Sequence, residues 1–296
     1  MKRTFIIAFI AIAIIALWFF NSDSNNDEGL RQSINHNGLS RDYIVYVPEN
    51  LPTDATLVVV SHGYTSSAET IMSYSGMNTV ADKEKFLVVY PQGTKDIRGN
   101  NFFNVGYDFH ASSKVDDLGF IQALVTKLID EYALNPNHIF ATGMSNGGDL
   151  SYFLACYASD MFRAVAPIAG TMMQTTVDTC KPEGVMPVFA VHGKADKVTY
   201  FDGDMANKDQ WGPYPGIPAV IEHWVNLNAL EYTKELDLLN APNYKDYDEA
   251  VSFQRFISGN SDGEVWLYVH AGGHDWSLKE LDTSSEIWNF FKKYIN

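Results

Sequence analysis

The stretch Ile139-Phe140-Ala141-Thr142-Gly143-Met144-Ser145-Asn146-Gly147-Gly148-Asp149-Leu150 constrains the fold of this chain more than any other. An apolar, strand-like run leads into G-x-S-x-G, with Ser145 at its centre. A helical pattern follows at once, with Leu150, Phe153, Leu154 and Tyr157 at i, i+3, i+4 and i+7. A sharp strand-to-helix turn of this kind strains the serine backbone and exposes the hydroxyl. A side chain at Gly143 or Gly147 would collide with the turn's neighbours. Five residues of this composition also suit an ordinary loop. The strand before them and the helix after them set this turn apart.

The rest of the chain repeats that alternation. Asp42 to Val47 reads as an early strand, Thr56 to Val60 and Phe86 to Tyr90 as short buried strands, and Ser66 to Val80 as helical. Thr94 to Lys114 is a long loop. Asp116 and Asp117 open a helix, where carboxylates suit the positive end of the dipole. Val165 to Gly170, Val185 to Val191 and Glu264 to His270 complete the strands. Tyr200 to Tyr214 reads as a polar loop, Ala219 to Leu230 as a helix with Val220, His223 and Trp224 inward, and Tyr232 to Asn260 as loop with short strands. Thr283 and Glu286 have the spacing of a capping box for a last helix. Strands alternating with helices imply an α/β fold with a mostly parallel sheet covered on both faces. With 296 residues, 46% of them hydrophobic, residues 30–296 suffice for one core and one domain.

Residues 1–20 read as an address. Lys2 and Arg3 precede an unbroken apolar run from Phe5 to Phe20. The bulky Leu17 to Phe20 gives no small-residue cleavage site, so a cleaved signal peptide and a retained membrane anchor both stay open. Either implies export, to a secreted, periplasmic or membrane-tethered location. Residues 21–29 are polar and acidic, as in a flexible linker. The two cysteines, Cys156 and Cys180, then read as a disulfide, with two buried free thiols as the alternative. A formal charge of −15 without a basic stripe excludes a nucleic-acid partner.

A nucleophilic serine needs a base, and the base an orienting acid. In a parallel sheet such groups collect after strand carboxyl ends, and three places qualify. His62-Gly63-Tyr64 follows the strand ending at Val60; the Tyr64 and Asn146 N–H groups form the expected oxyanion hole, with His62 bracing the loop. Asp196, past the strand ending at Val191, is the expected acid, with Asp202 and Asp204 as neighbouring rivals. His274, after Gly272 and Gly273, is the expected base. No histidine pair has metal-ligand spacing and the cysteines do not form C-x-x-C, so neither metal nor cofactor is expected.

Four stretches together resemble the poly(3-hydroxybutyrate) depolymerase and feruloyl esterase family of α/β-hydrolases. They are Val115 to Ile121, Thr142 to Gly148, Val191-His192-Gly193 with Asp196, and Gly272-Gly273-His274-Asp275-Trp276. The resemblance runs from about Tyr43 to the C-terminus. It implies an α/β-hydrolase fold, a carboxylic-ester substrate, Ser145 as nucleophile, Asp196 as acid, His274 as base, Tyr64 with Asn146 as the oxyanion hole, and a Cys156–Cys180 bridge. Phe103, Asn104 and Trp276 are the expected substrate contacts. The chain departs from the family where Phe103-Asn104-Val105-Gly106 replaces the usual Trp-Asn-Gly, and where Tyr64 replaces a frequent cysteine. Phe102, Phe103 and Tyr107 either stack on a phenolic ring or anchor their loop by packing. Feruloyl, acetyl-xylan and hydroxyalkanoate esters all fit. A peptidase of the prolyl-oligopeptidase type shares G-x-S-x-G-G and the residue order, but this length leaves no room for its propeller domain. A non-catalytic binding protein on a hydrolase scaffold is the other alternative; a missing triad member would favour it, and none is missing.

Overall fold

The computed structural model describes residues 29–230, 232–235, 252–258, 263–276 and 281–295. The expected signal or anchor, residues 1–20, and residues 21–28 of the linker lie outside the described residues, as does much of the stretch from Tyr232 to Asn260. Among the described residues no helix is long and apolar enough to cross a membrane.

Twelve strands and seven helices are described. In chain order they are β1 (Leu30–His36), β2 (Leu39–Tyr46), β3 (Leu57–Ser61), α1 (Ala68–Ser75), α2 (Met77–Glu84), β4 (Leu87–Pro91), β5 (Thr94–Lys95), β6 (Asn101–Phe102), α3 (Asp117–Tyr132), β7 (Ile139–Met144), α4 (Asn146–Tyr157), β8 (Ala164–Ile168), α5 (Gln174–Thr179), β9 (Val188–Gly193), α6 (Ile217–Leu227), β10 (Tyr232–Glu235), β11 (Ser252–Ile257), β12 (Val265–His270) and α7 (Thr283–Phe291). Ten of the strands form one sheet in the order β1-β2-β4-β3-β7-β8-β9-β12-β11-β10. The six from β4 to β12 in that order run parallel; antiparallel strands flank them on both sides.

Why both faces are covered is visible in β3. Leu57 and Val59 join one apolar cluster with Phe120 and Leu124 of α3, Leu150 and Leu154 of α4, and Val220 and Trp224 of α6. Val58 and Val60 point the other way, into a cluster with Ile71 of α1, Val80 of α2, and Ile287, Phe290 and Phe291 of α7. Successive strand side chains face opposite sides, so a run buried on both faces must be apolar throughout. Each such side chain contributes roughly 1.5–3 kcal/mol on burial.

Three local expectations change. The region from Ser66 to Val80 is two helices, because Gly76 takes the left-handed conformation (φ 66°) between α1 and α2. The edge strand β1 is an addition; Asn37 and Gly38, both at positive φ, make the tight turn that pairs it with β2. At α7 the cap is Asp282, whose carboxylate accepts from the Ser285 N–H and hydroxyl. Thr283 is therefore the first helical residue, and Glu286 accepts from Asn289 instead of closing a capping box.

Candidate active site

The elbow is the local consequence of three glycines and one strained serine. Ser145 sits between β7 and α4 at φ 56°, ψ −122°, a conformation an ordinary side chain rarely adopts. A Cβ on Gly143 would lie 2.5 Å from the Gly147 carbonyl oxygen, and one on Gly147 would lie 2.1 Å from that of Ser61. β3 thus crosses directly under the turn. A Cβ on Gly63 would stand 3.2 Å from that of Ser145, so the loop after β3 runs against the serine itself.

That loop is held from two sides. The His62 ring is buried, with Nδ1–H donating to the Gly63 carbonyl (2.7 Å) and Nε2 accepting from the Gly93 N–H (3.0 Å). Burial lowers its pKa to about 4, and the Gly63 bond only partly opposes this, so the ring is neutral and braces the loop. Tyr64 donates its hydroxyl to Asp96 (2.6 Å), accepts from Asn100 (2.8 Å), and the next N–H, of Thr65, donates to Asn101 (2.8 Å). The backbone of Tyr64 is therefore fixed beside the elbow. Asn146 begins α4, where a helix leaves its first N–H groups without intrahelical acceptors.

Asp196 and His274 meet as a pair. His274 Nδ1–H donates to the Asp196 carboxylate at 2.7 Å, so Nε2 is the ring nitrogen left for other partners. The other carboxylate oxygen accepts from Val198 N–H (2.8 Å) and Thr199 N–H (3.0 Å). Burial pushes the Asp196 carboxyl up, but the His274 hydrogen bond and charge and the Val198 N–H hold it below the ordinary carboxylate value. His192 lies 3.5 Å from Oδ2, the oxygen that His274 bonds, and donates to the Thr199 carbonyl; burial lowers its pKa to about 4. The rivals lie apart: Asp204 accepts from Asp209 N–H, and Asp202 is exposed near Lys194. Ser145 follows β7, Asp196 follows β9, and His274 follows β12, all at the carboxyl edge of the sheet. Asp149, one turn along from Ser145, feels the charges of both Asp196 and His274.

The expected substrate contacts are corrected in two cases. Phe103 and Trp276 are both 0% exposed. Phe103 packs on His62 (ring centroids 4.7 Å), and the Trp276 indole N–H donates to Ser284 (2.9 Å). Apolar burial claims both rings, so neither presents a face to substrate. Asn104 is tied down as well: its side chain donates to the Val115 carbonyl (3.0 Å) and its N–H to Asp117 (2.6 Å). Phe102 and Tyr107 are buried too, so the loop aromatics act as packing anchors. The side chain of Asn146 clamps the same loop, accepting from the Phe103 N–H (2.7 Å) and donating to the Phe103 carbonyl (3.0 Å).

A small cavity opens beside Ser145, lined by Tyr107, Asp149, Thr171, Met173, Trp211 and Tyr214. Of these residues only Tyr107 was singled out from sequence, as one of the loop aromatics; among the rest, Asp149, directly after Gly147-Gly148, sits closest to a motif. Its carboxylate is buried, accepting from the Tyr107 hydroxyl (2.5 Å) and the Thr171 N–H (2.7 Å), and burial pushes its pKa up to about 7 against the pull of those two bonds. The two aspartates at the start of α3 are structural. Asp116 caps the helix through the Gly119 N–H (2.9 Å), and Asp117 forms a buried ion pair with Arg41 (2.5 Å). The cysteines are joined, with Cα atoms 4.8 Å apart, tying α4 to the end of α5.

The sequence matches the Esterase PHB depolymerase family over residues 41–242. NocK of Nocardia uniformis subsp. tsuyamanensis, a protein named as an esterase, is 28% identical over 76% of this chain and 67% of its own. Poly(3-hydroxyalkanoate) depolymerase C of Paucimonas lemoignei is 26% identical over 64% of this chain, which spans only about half (49%) of that protein. Among solved structures, the acetyl xylan esterase from Aspergillus awamori superposes with a TM-score of 0.62 at 17% identity, covering 90% of this chain and 100% of that one. At that identity the likeness speaks for the fold. With a matched region spanning most of the chain and a parallel sheet carrying an elbow at its carboxyl edge, the chain belongs to the esterase PHB depolymerase family, ester hydrolases of the α/β-hydrolase fold.

Proposed function

We propose that this protein is an exported serine carboxylic-ester hydrolase that works through Ser145, His274 and Asp196. The observation that carries the reading is the 2.7 Å bond from His274 Nδ1–H to a buried Asp196, set at the same sheet edge as the strained Ser145. Asp196 holds the imidazole so that Nε2 accepts the Ser145 proton as Oγ attacks the ester carbonyl. The Tyr64 and Asn146 N–H groups receive the oxyanion, a charge that exists only in the transition state. His274 then protonates the leaving alcohol, and water, activated by the same ring, releases the acid from the acyl-enzyme. Export accords with the apolar residues 5–20 and with the disulfide, which persists in oxidising compartments. Relatives named as a feruloyl esterase, a bifunctional acetylxylan esterase/xylanase and a poly(3-hydroxybutyrate) depolymerase support a reading in which the substrate is a carbohydrate-borne or polymeric ester.

The test is release of p-nitrophenol from p-nitrophenyl acetate together with labelling by a fluorophosphonate probe. Ser145→Ala is expected to lower kcat by about 10⁴-fold or more and to abolish the label. A variant that keeps most of its turnover sinks the proposal.

A further inference from the structure

The cavity beside Ser145 is small, and its walls are braced. Tyr107 is buried and bonded to Asp149, whose other oxygen is bonded to the Thr171 N–H. Tyr214 is buried, and its hydroxyl accepts from the Tyr200 N–H (3.2 Å). Trp211 stands edge-on against Tyr107 (centroids 5.0 Å) and Tyr64 (5.5 Å), and its carbonyl accepts from the Asp108 N–H (2.9 Å). The space open to the centre of a water molecule is about 20 Å³. One water needs roughly 10–15 Å³ by that measure, so the cavity takes one or two non-hydrogen atoms beyond an ester carbonyl. Widening it means breaking the Tyr107–Asp149 bond or swinging Trp211 out of its aromatic contacts.

We infer that this cavity is the acyl pocket and that it limits the enzyme to acetyl and propionyl esters, with Trp211 and Met173 as the specificity-determining walls. The inference rests on the serine-esterase reading above. A phenylpropenoyl acyl group carries a ring that the cavity cannot hold. A polymer of hydroxy acids needs its acyl chain to continue past the carbonyl, where the Asp149–Tyr107 pair closes the way. Substrate identity then lies on the alcohol side, outside the pocket.

The experiment compares kcat/KM for p-nitrophenyl acetate, butyrate and hexanoate and for methyl ferulate, in the wild type, Trp211→Ala and Met173→Ala. Ser145 labelling by a small fluorophosphonate is measured in parallel. The wild type is expected to favour acetate over hexanoate and ferulate by at least about 100-fold, since single methylenes in a hydrophobic pocket discriminate roughly 10–200-fold. Either wall variant that folds is expected to narrow that ratio at least about tenfold by raising the longer esters. Labelled wild-type enzyme that turns over hexanoate or ferulate within about tenfold of acetate overturns the pocket assignment alone. So do two folded wall variants with unchanged ratios. Absence of both label and turnover overturns the esterase reading, and the pocket assignment with it.

Discussion

Two of the carboxylate–imidazole pairs near this sheet edge, His274 with Asp196 and His110 with Asp96, differ in what surrounds the ring. In one, His274 bonds to Asp196 at 2.7 Å, and its side chain is 17% exposed. In the other, His110 bonds to Asp96 at 3.1 Å, and its side chain is 3% exposed. The His110 ring is packed among Phe102, Phe109, Tyr107 and Tyr64, and its Nδ1 has no hydrogen-bond partner. Asp96 also accepts from Tyr64 and from the Arg98 and Asn100 N–H groups, so it serves as a loop anchor. Hydrogen bonding to a carboxylate therefore does not make a histidine a base. What matters is whether the second ring nitrogen reaches open space beside a nucleophile.

The sharpest way to break that distinction is to remove both carboxylates in turn. Asp196→Asn is expected to lower kcat about 10³- to 10⁴-fold, because the imidazole loses its orienting acceptor. Asp96→Asn is expected to cost about tenfold, through loosening of the Tyr64 backbone, and to leave fluorophosphonate labelling intact. Equal losses in the two would erase the contrast; single-turnover kinetics on p-nitrophenyl acetate reads it.

A second test uses pH. The Asp149 carboxyl, raised by burial from an ordinary 3.8 to about 7, is protonated more readily in the folded protein than in the unfolded chain. Its contribution is complete below about pH 4 and is lost as pH rises through about 7, up to about 4 kcal/mol in all. Asp196 has the opposite sign: its carboxyl is held low, so its contribution is present above pH 4 and disappears on acidification. Urea titrations of Asp149→Asn between pH 4 and pH 8 should show a flatter decline in stability than the wild type. An unchanged slope would mean that Asp149 is ionised throughout.

Smaller effects separate stability from chemistry. Replacing Cys156 and Cys180 by alanine should lower stability by about 3 kcal/mol through a looser unfolded chain, seen as a lower Tm, with kcat per folded molecule nearly unchanged. Gly63→Ala places a Cβ 3.2 Å from that of Ser145, a contact the neighbours relieve by shifting a few tenths of an ångström. A loss of about tenfold in kcat with little change in Tm is expected, since the shift falls on the elbow and not on the core. A large drop in Tm instead would show that the loop after β3 belongs to the core.

Much of this molecule was legible in the sequence because its signals are local. The apolar runs of β3, β4, β7, β8, β9 and β12 and the G-x-S-x-G turn are read from neighbours in the chain, and so is the order Ser145, Asp196, His274. Each of those residues follows a strand, and strand ends share an edge once the sheet is parallel. The substrate contacts were not legible. Whether Phe103 faces solvent depends on His62, and whether Trp276 does depends on its N–H bond to Tyr74 and on Ser284, which is itself bonded to the Ser75 carbonyl; His62, Tyr74 and Ser75 are far away in sequence from the rings they fix. The cavity beside Ser145 is likewise assembled from Tyr107, Asp149, Thr171 and Trp211, on separate segments, and its volume is what remains after they pack. Periodicity and turn chemistry fixed the sheet, the elbow and the order of the catalytic candidates, since strand and turn preferences act over a few residues. The close packing of side chains brought together by the whole fold decided which aromatics are core, which histidine is free, and how small the space beside the serine is.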